Sequence, residues 1–329
     1  MAQPAPEPSV AFQLPDRFGR LASVRLQEEV GADGPLDFVR TGGVWRLRLP
    51  PPDVDRMEYL FEVEDHNGRR TTIPDPGNPL RAGGAFGDKS VLEFPGYAAP
   101  DWLRLEPVAG TEEDVAGVPV WAPAALAADE PAPLLLVHDG PEYAKLGSFV
   151  HYLGALVGAG SLPPLRAALL GPTDRNAEYS ADPDYADRLC TEVVPALPPA
   201  TVRIGVGVSL GALAMLHAHQ SHPGTFGALF LQSGSFFTPE LDPQESNFSG
   251  FAAVTEFVAA LPGAPAHPVP AVLTCGTVEE NRGNNEAMTA GLQSLGYDAR
   301  FVLRRDAHNY IAWRDALDPH LTRLVNLAA

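Results

Sequence analysis

The sequence predicts an α/β fold with a doubly wound, mostly parallel sheet, preceded by a small all-β domain. Between residues 10 and 97, short alternating strands follow one another without a helical period. After residue 98, continuous apolar runs alternate with helical stretches, and such runs are typical of parallel strands buried on both faces. We therefore expect a disordered proline-rich tail over residues 1–9, a β-sandwich over 10–97 and an α/β domain over 98–329.

Three strand patterns and one turn indicate the β-sandwich. Residues 44–49 alternate apolar and basic side chains, as a half-buried strand does. Residues 59–64 and 90–94 are two further strands, and the Asn67-Gly68 dipeptide is typical of a hairpin turn. The segment contains no convincing helix.

Strands and helices alternate along the second domain. The predicted strands are residues 134–137, 167–170, 202–208, 228–231, 271–274 and 301–303. The predicted helices are residues 185–197, 210–220, 253–261 and 285–295, with a last helical segment over 311–327 that is interrupted near Pro319. This alternation predicts helices on both faces of the sheet.

Charge and cysteine content exclude several classes of function. With 23 basic and 41 acidic residues, the net charge is −18, so the chain repels phosphate backbones and anionic membranes. We expect neither nucleic acid nor a membrane as partner. Cys190 and Cys275 are the only cysteines, which excludes a disulfide framework and a thiolate zinc site. With no visible secretory signal and no apolar stretch of transmembrane length, a cytoplasmic location is expected.

A candidate nucleophile lies in the Gly-x-Ser-x-Gly motif at residues 207–211. Ser209 stands between the predicted strand 202–208 and the predicted helix 210–220, which is the placement that a nucleophile elbow requires. Glycines on both sides of the serine suit a turn too tight for side chains. The N–H of Leu210, at the helix N-terminus, is positioned for a developing oxyanion. The alternative is an ordinary tight turn with a serine N-cap.

A serine hydroxyl needs a base, and His308 is the candidate by position. It follows the predicted strand 301–303 and precedes the final helical segment. His217, His219 and His222 lie at the far end of the helix that follows Ser209. Their His-x-His-x-x-His spacing resembles a metal site, but a solvated helix end is the favoured interpretation, so no metal is predicted.

The acid that orients the base is expected after the strand 271–274. Glu279 and Glu280 both follow that strand. One of them could instead be an acid favoured by the dipole at the start of a helix. We favour Glu279 as the partner of His308.

Taken together, these motifs resemble a known family. Residues 100–329 are similar to the esterase-D-like branch of the α/β hydrolases, which includes enterochelin esterases, feruloyl and acetyl-xylan esterases and mycolyltransferases. The matching segments are residues 137–140, 175–179, 192–195, 207–211, 232–235 and 276–279, with His308, Trp313 and Arg314. Residues 10–97 resemble the early-set immunoglobulin-like domain of enterochelin-esterase-type proteins, through Trp45 and residues 59–61 and 75–79.

The resemblance implies a triad and no cofactor. Ser209 would be the nucleophile, His308 the base and Glu279 the acid. The reaction would be two-step acyl transfer through an acyl-enzyme, with no metal and no organic cofactor.

The resemblance also implies an oxyanion hole with two backbone donors. One would be the N–H of Leu210, and the other would come from the loop after Asp139. Pro141 has no N–H, so the second donor is Gly140, Glu142 or another neighbour. Two smaller departures from the family pattern are Ala212, where a third glycine is usual, and the Asp-Ala pair before His308, where the family often has two glycines.

Specificity is expected in loops near the site. For Arg175, binding of an acidic group and a structural ion pair with Glu178 are both open, and for Trp313 packing of the last helix is the alternative. The substrate-binding candidates are Asp139, Tyr143, Arg175, Tyr179, Phe236 and Trp313.

The function predicted from these observations is that of a serine carboxylic-ester hydrolase. Its partner would be a small-molecule ester, such as a siderophore-like or other natural-product ester. An acyltransferase and a non-catalytic binding protein of the same fold are the alternatives, and a homodimer is left open.

Overall fold

The chain divides into two units of different architecture. A computed structural model describes residues 9–84, 87–265 and 267–329, so the predicted tail lies almost wholly outside the described residues. The first unit contains the described residues up to Ala98 together with Thr277–Glu279 and Arg305–Ala307. The second contains Ala99–Gly276, Glu280–Arg304 and His308–Ala329.

The first unit consists of antiparallel sheets. Its strands are β1 (Val10–Pro15), β2 (Leu21–Glu28), β3 (Val39–Thr41), β4 (Val44–Leu49), β5 (Arg56–Asp65), β6 (Arg70–Ile73), β7 (Arg81–Ala82) and β8 (Lys89–Glu93). One sheet has the order β1-β4-β3, and the other has the order β2-β5-β8-β7 with β6 paired to β5. The predicted strands correspond to β4, β5 and β8, and the predicted Asn-Gly turn joins β5 to β6.

The core of this unit follows the alternation of its strands. Along β4, Trp45, Leu47 and Leu49 are buried while the arginines between them are exposed. Phe12 of the first sheet and Tyr59 of the second meet edge to face, with ring centroids 5.0 Å apart. Side chains of both sheets therefore share one apolar core. Trp45 packs in that core, which is the more frequent role of a tryptophan within a strand.

The second unit is built on a mostly parallel sheet. Its strands are β9 (Gly110–Val115), β10 (Val118–Pro123), β11 (Ala132–His138), β12 (Arg166–Leu170), β13 (Ala200–Val208), β14 (Ala228–Gln232), β15 (Ala271–Gly276) and β16 (Ala299–Arg304). The order is β16-β15-β14-β13-β11-β12-β10-β9, and only β9 and β10 run antiparallel to their neighbours. The predicted fold class is confirmed, and each of the six predicted strands corresponds to one of β11–β16. The strands β9, at one edge of the sheet, and β10, next to it, were not predicted.

Helices cover both faces of this sheet. They are α1 (Gly140–Leu146), α2 (Phe149–Gly158), α3 (Arg175–Glu178), α4 (Pro183–Arg188), α5 (Val194–Ala196), α6 (Leu210–Ser221), α7 (Phe251–Ala260), α8 (Arg282–Ser294), α9 (Tyr310–Asp315) and α10 (Leu317–Ala328). A π-helical turn, Leu189–Val193, joins α4 to α5. Along β11, Leu134 and Leu136 pack in one core while Leu135 and Val137 pack in the other. Among the described residues, no helix combines the length and apolar character needed to cross a membrane.

Strand order fixes where a ligand site is expected. From β11 the chain passes to β12 on one side, and it then crosses back over β11 to β13 on the other side. It continues in that second direction through β14, β15 and β16. The loops that follow β11 and β13 therefore diverge at a topological switch point, and open α/β sheets bind ligands there. Ser209 directly follows β13.

Candidate active site

The turn at Ser209 has the conformation that a nucleophile elbow requires. Its backbone has φ 55° and ψ −125°, a combination that favours glycine and is strained for serine. A Cβ at Gly207 would lie 2.3 Å from the carbonyl oxygen of Gly211, and a Cβ at Gly211 would lie 3.0 Å from the Cβ of His138. Glycine is needed at position 207, where a side chain would meet the backbone of the helix, and at position 211 a side chain would be tightly packed against His138.

Ser209 has hydrogen-bonding neighbours in Gln232 and Ser235. The side chain is half-buried, and its Oγ lies 3.3 Å from the Oγ of Ser235. The Ser209 N–H donates to the carbonyl of Gln232 at 2.9 Å, and the Ser235 N–H donates to the carbonyl of Ser209. None of the backbone hydrogen bonds found in the described chain uses the N–H of Leu210, the first residue of α6. This N–H is thus one of the free donors with which a helix begins.

The loop after β11 carries the candidates for a second oxyanion donor. Asp139 is in the left-handed conformation, with φ 51° and ψ 33°, and Gly140 begins α1. A Cβ at Gly140 would lie 2.4 Å from the Cα of Leu169, so only glycine fits against β12. Pro141 lacks an N–H, which leaves Gly140 and Glu142 as the donors of the first turn.

Arg175 is paired with Asp139. Its Nε lies 2.9 Å from Oδ1 and its Nη2 2.8 Å from Oδ2. Glu178, the alternative partner considered from the sequence, binds Arg188 at 2.7 Å and accepts the N–H of Thr173. Of the two alternatives left open for Arg175, the ion pair with Glu178 is not formed, because Glu178 binds Arg188 of the next helix and Arg175 binds Asp139.

His138 ties the end of β11 to the nucleophile helix. Nδ1 lies 2.8 Å from the carbonyl oxygen of Gly211, so Nδ1 carries the proton and donates. Nε2 then accepts from the hydroxyl of Tyr185, also at 2.8 Å. Burial lowers the pKa of His138 to about 4, despite the bond to Gly211. His138 is therefore a neutral structural group.

Aromatic residues expected to line the ester site are mostly buried packing groups. Tyr143 is fully buried and donates to Oε1 of Gln232 at 2.5 Å. Tyr179 is fully buried as well, with its ring 4.5 Å from that of His138. These two substrate-binding candidates offer no open surface to a ligand, because both rings are packed in the cores of the second unit. Phe236 is also buried, beside an apolar cavity of about 180 Å³ whose lining includes Met288.

His308 follows β16 and lies against the helix that comes next. The imidazole is half-buried, and its ring centroid is 4.9 Å from that of Trp313, with the planes at 87°. Trp313 itself is 7% exposed and packs in the core beneath the sheet. The packing alternative for Trp313 is therefore the one that the structure supports.

The candidate acids differ in burial. Glu279 is 8% exposed and belongs to the first unit, whereas Glu280 is exposed and accepts from Gln244. Burial raises the pKa of Glu245, the charges of Glu280 and Asp242 raise it further, and the charge of His308 opposes them.

The structure adds a polar network to the residues that the sequence singled out. The turn of residues 233–235, which follows β14, is held from α8: Asn285 donates to the carbonyl of Gly234 and accepts its N–H. Asn281 donates to the carbonyl of Ser233. The segment 232–235 was noticed only through the family resemblance, because nothing in its own composition indicates a role.

The histidines at the end of α6 have separate roles. His219 is buried between the carbonyl of His267 and the hydroxyl of Tyr297, so it is not part of a solvated helix end. His222 binds Asp187, and His217 packs edge-on against Phe257. Within the described ranges, no group of three histidine, cysteine, aspartate or glutamate side chains is arranged to hold a metal ion.

Comparisons with known proteins give one relative in sequence. No family model matches the chain. The iron(III) enterobactin esterase of Dickeya dadantii (strain 3937) is 28% identical over 218 residues, which are 60% of this chain and 49% of that protein. The chain thus spans about half the length of the curated relative that it matches.

Solved structures resemble nearly the whole chain. The ferric enterobactin esterase of Salmonella typhimurium has a TM-score of 0.77 at 22% identity, over 97% of this chain and 94% of that one. The enterobactin esterase of Shigella flexneri, crystallised in the presence of enterobactin, has a TM-score of 0.75 at 22% identity, over 97% and 93%.

The chain has the enterobactin-esterase fold. Because the match covers 97% of the chain, this fold includes the antiparallel first unit. The feruloyl esterase module from Clostridium thermocellum, in complex with sinapinate, is similar over a smaller part: 70% of this chain and 93% of that one, with a TM-score of 0.51 at 15% identity. The resemblance to enterochelin-esterase-like proteins that the motifs indicated is confirmed.

Proposed function

We propose that the chain is a serine carboxylic-ester hydrolase. The observation that carries the proposal is the backbone of Ser209, which keeps a strained conformation between β13 and α6, with a side chain that is half-buried and not enclosed in the core. Strain of this kind persists at functional sites where the surroundings enforce it. The relatives in sequence and in fold, which are enterobactin and feruloyl esterases, support the same class of reaction.

The proposed reaction has two steps. His308 takes the proton of Ser209 as the hydroxyl oxygen attacks the ester carbonyl, and the imidazolium then protonates the leaving alcohol. Water, activated by the same imidazole, releases the acid from the acyl-enzyme and restores the serine. Glu279 is proposed as the carboxylate that orients His308, on the basis of its place after β15.

The oxyanion would be held by backbone donors. The N–H of Leu210 is the first, because it stands at the start of α6 without a backbone acceptor. For the second we propose Gly140, the first residue of α1. The N–H of Glu142, one turn position later, is the alternative, since Pro141 supplies none.

The substrate that we propose is a natural-product ester of the siderophore type. The support is the sequence similarity to an enterobactin esterase and the match to a structure solved in the presence of enterobactin. The cytoplasmic location, the lack of nucleic-acid and membrane partners, and the open question of a homodimer remain predictions from the sequence.

A fluorophosphonate probe tests the proposal directly. We expect stoichiometric labelling that peptide mass mapping assigns to Ser209, and turnover of p-nitrophenyl butyrate and of ferric enterobactin. Both should vanish in Ser209→Ala and persist in Ser148→Ala. Ser148 is the matched control, because it also has a positive φ before a helix but does not follow a strand of the sheet.

The outcomes separate the alternatives. Labelling of Ser209 with ester products formed only when an alcohol acceptor is added indicates an acyltransferase. Ligand binding without labelling indicates a binding protein, and it would overturn the proposal.

A further inference from the structure

We propose that Trp313 is a positioning residue for the His308 imidazole, and that Gln232 and Ser233 fix the indole in place. This inference rests on the proposed function, in which His308 is the base. It changes the role expected for Trp313, which is one of the substrate-binding candidates predicted from the sequence. An indole that is 7% exposed has little surface to offer a substrate.

The side-chain rings of His308 and Trp313 are in contact. The His308 ring meets the Trp313 ring at 87° with 4.9 Å between centroids, which is an edge-to-face arrangement of favourable geometry. The indole therefore limits the rotation of the imidazole that must face the nucleophile.

Trp313 is itself held by hydrogen bonds at two points. Its Nε1–H donates to the Oγ of Ser233 at 2.9 Å, and its carbonyl accepts from Nε2 of Gln232 at 3.0 Å. The ring of Tyr310 adds a second edge contact, 5.0 Å from the Trp313 centroid. Both the side chain and the backbone of Trp313 are thus fixed, by Gln232 at the end of β14 and by Ser233, which follows it.

Gln232 connects Trp313 to the nucleophile, Ser209. The carbonyl of Gln232 accepts the N–H of Ser209 at 2.9 Å, while the same residue's side chain holds Trp313. Gln232 is fully buried, and its carboxamide also binds Tyr143 and Thr274. One residue therefore restrains both the backbone of Ser209 and the support of His308.

The carboxamide of Gln232 can be buried only because it has hydrogen-bond partners. An amide removed from water costs free energy unless it is hydrogen-bonded, and Gln232 is bonded at both its oxygen and its nitrogen. An apolar side chain would fill the same space without linking the strand end to Trp313. The geometry thus points to a role in alignment beyond packing.

Trp102 provides a matched control. It is 2% exposed and packs in the same core, in the short helical turn Asp101–Arg104. Its Nε1 has no hydrogen-bond partner among the described residues, and its ring neighbours are His151 and Tyr152. Trp102→Phe therefore removes another buried indole without changing the contacts between Trp313, His308, Gln232 and Ser233.

The experiment compares Trp313→Leu, Trp313→Phe and Trp102→Phe in the full chain. We expect kcat for p-nitrophenyl butyrate to fall about 100-fold in Trp313→Leu and about 10-fold in Trp313→Phe, which restores a ring edge, with KM within about threefold of the original. Trp102→Phe should keep kcat within about twofold. The proton resonances of the His308 ring, shifted by the indole ring current, should move in both Trp313 variants and stay in Trp102→Phe.

The possible results distinguish failure of this inference from failure of the proposed function. A loss of kcat in Trp313→Leu no larger than in Trp102→Phe overturns the inference, as does a raised KM with unchanged kcat, which would return Trp313 to substrate binding. If the original chain lacks turnover and labelling, the proposed function fails. The resonances of His308 then still report whether Trp313 fixes its ring.

Discussion

Arg175 holds the carboxylate of Asp139 through two nitrogens of its guanidinium, with contacts of 2.8 to 3.1 Å. The Asp139 side chain is 5% exposed, and its backbone has the left-handed conformation at the start of α1. Burial works against the charge of Arg175, but the hydrogen bonds and the charge of Asp139 raise the pKa of the guanidinium. The pair thus fixes the backbone just ahead of Gly140.

The first prediction concerns this pair. Arg175→Met should lower the free energy of unfolding by about 2 kcal/mol, because it leaves a nearly buried carboxylate without its partner. The measurement is urea denaturation at pH 7. Arg188→Met is the matched control: its ion pair with Glu178 is more exposed, so its loss should stay below about 1 kcal/mol. Equal losses in the two variants would contradict the prediction.

The partner of Arg175 also shows where sequence reasoning reaches its limit. The sequence left an ion pair with Glu178 open, and residues three apart on a helix are neighbours. The helix α3 is only four residues long, however, and Asp139 approaches Arg175 from a loop 36 positions away in the chain. Such a long-range contact leaves no local pattern.

The parallel strands and the nucleophile turn were predictable for physical reasons. Strands buried on both faces must be apolar throughout, and the Ser209 turn carries glycines at two fixed positions. The helices α1 and α2 were missed because their local signals conflict: α1 begins with Gly140 and Pro141, and α2 follows Gly147 and Ser148. Pro141 is tolerated because a first helical turn lacks acceptors for its N–H groups in any case.

The second prediction compares Gly207, in β13, with Gly291, in α8, which differ in the space around them. Gly207→Ala should lower the free energy of unfolding by at least about 3 kcal/mol, since the new Cβ would lie 2.3 Å from a backbone oxygen that cannot move aside. Gly291→Ala, in the middle of α8, should raise it by about 0.5 to 1 kcal/mol, because nothing lies within 4 Å and alanine favours the helix. Thermal and urea denaturation of both variants check the signs, and the same sign in both would be contrary evidence.

The third prediction is that the stability of the fold depends on pH through His138. The pKa of this buried imidazole is about 4 in the folded chain, against about 6.5 when unfolded, so the unfolded state binds the extra proton first as pH falls. Stability is therefore lost on acidification from about pH 7 toward pH 4. Between pH 7 and pH 5 the loss from this group should be about 2 kcal/mol.

His138→Gln isolates this contribution. The variant should lose about 2 kcal/mol less than the original chain between pH 7 and pH 5, whatever its stability at pH 7. An NMR titration of the His138 ring gives the second readout. If the ring titrates near pH 6.5 in the folded protein, the burial argument is wrong.

The fourth prediction sets stability against function at Ser209. Its φ of 55° with ψ of −125° suits glycine, and side-chain-bearing residues pay a strain of about 1 to 3 kcal/mol there. Ser209→Gly should therefore be about 1 kcal/mol more stable than Ser209→Ala, after allowance for the greater backbone freedom of unfolded glycine, and neither should turn over esters. At Ser294, the helical end of α8, the order should reverse, because a helix favours alanine over glycine. Denaturation of the four variants measures both differences, and a Ser209→Ala more stable than Ser209→Gly would show that the turn carries no strain.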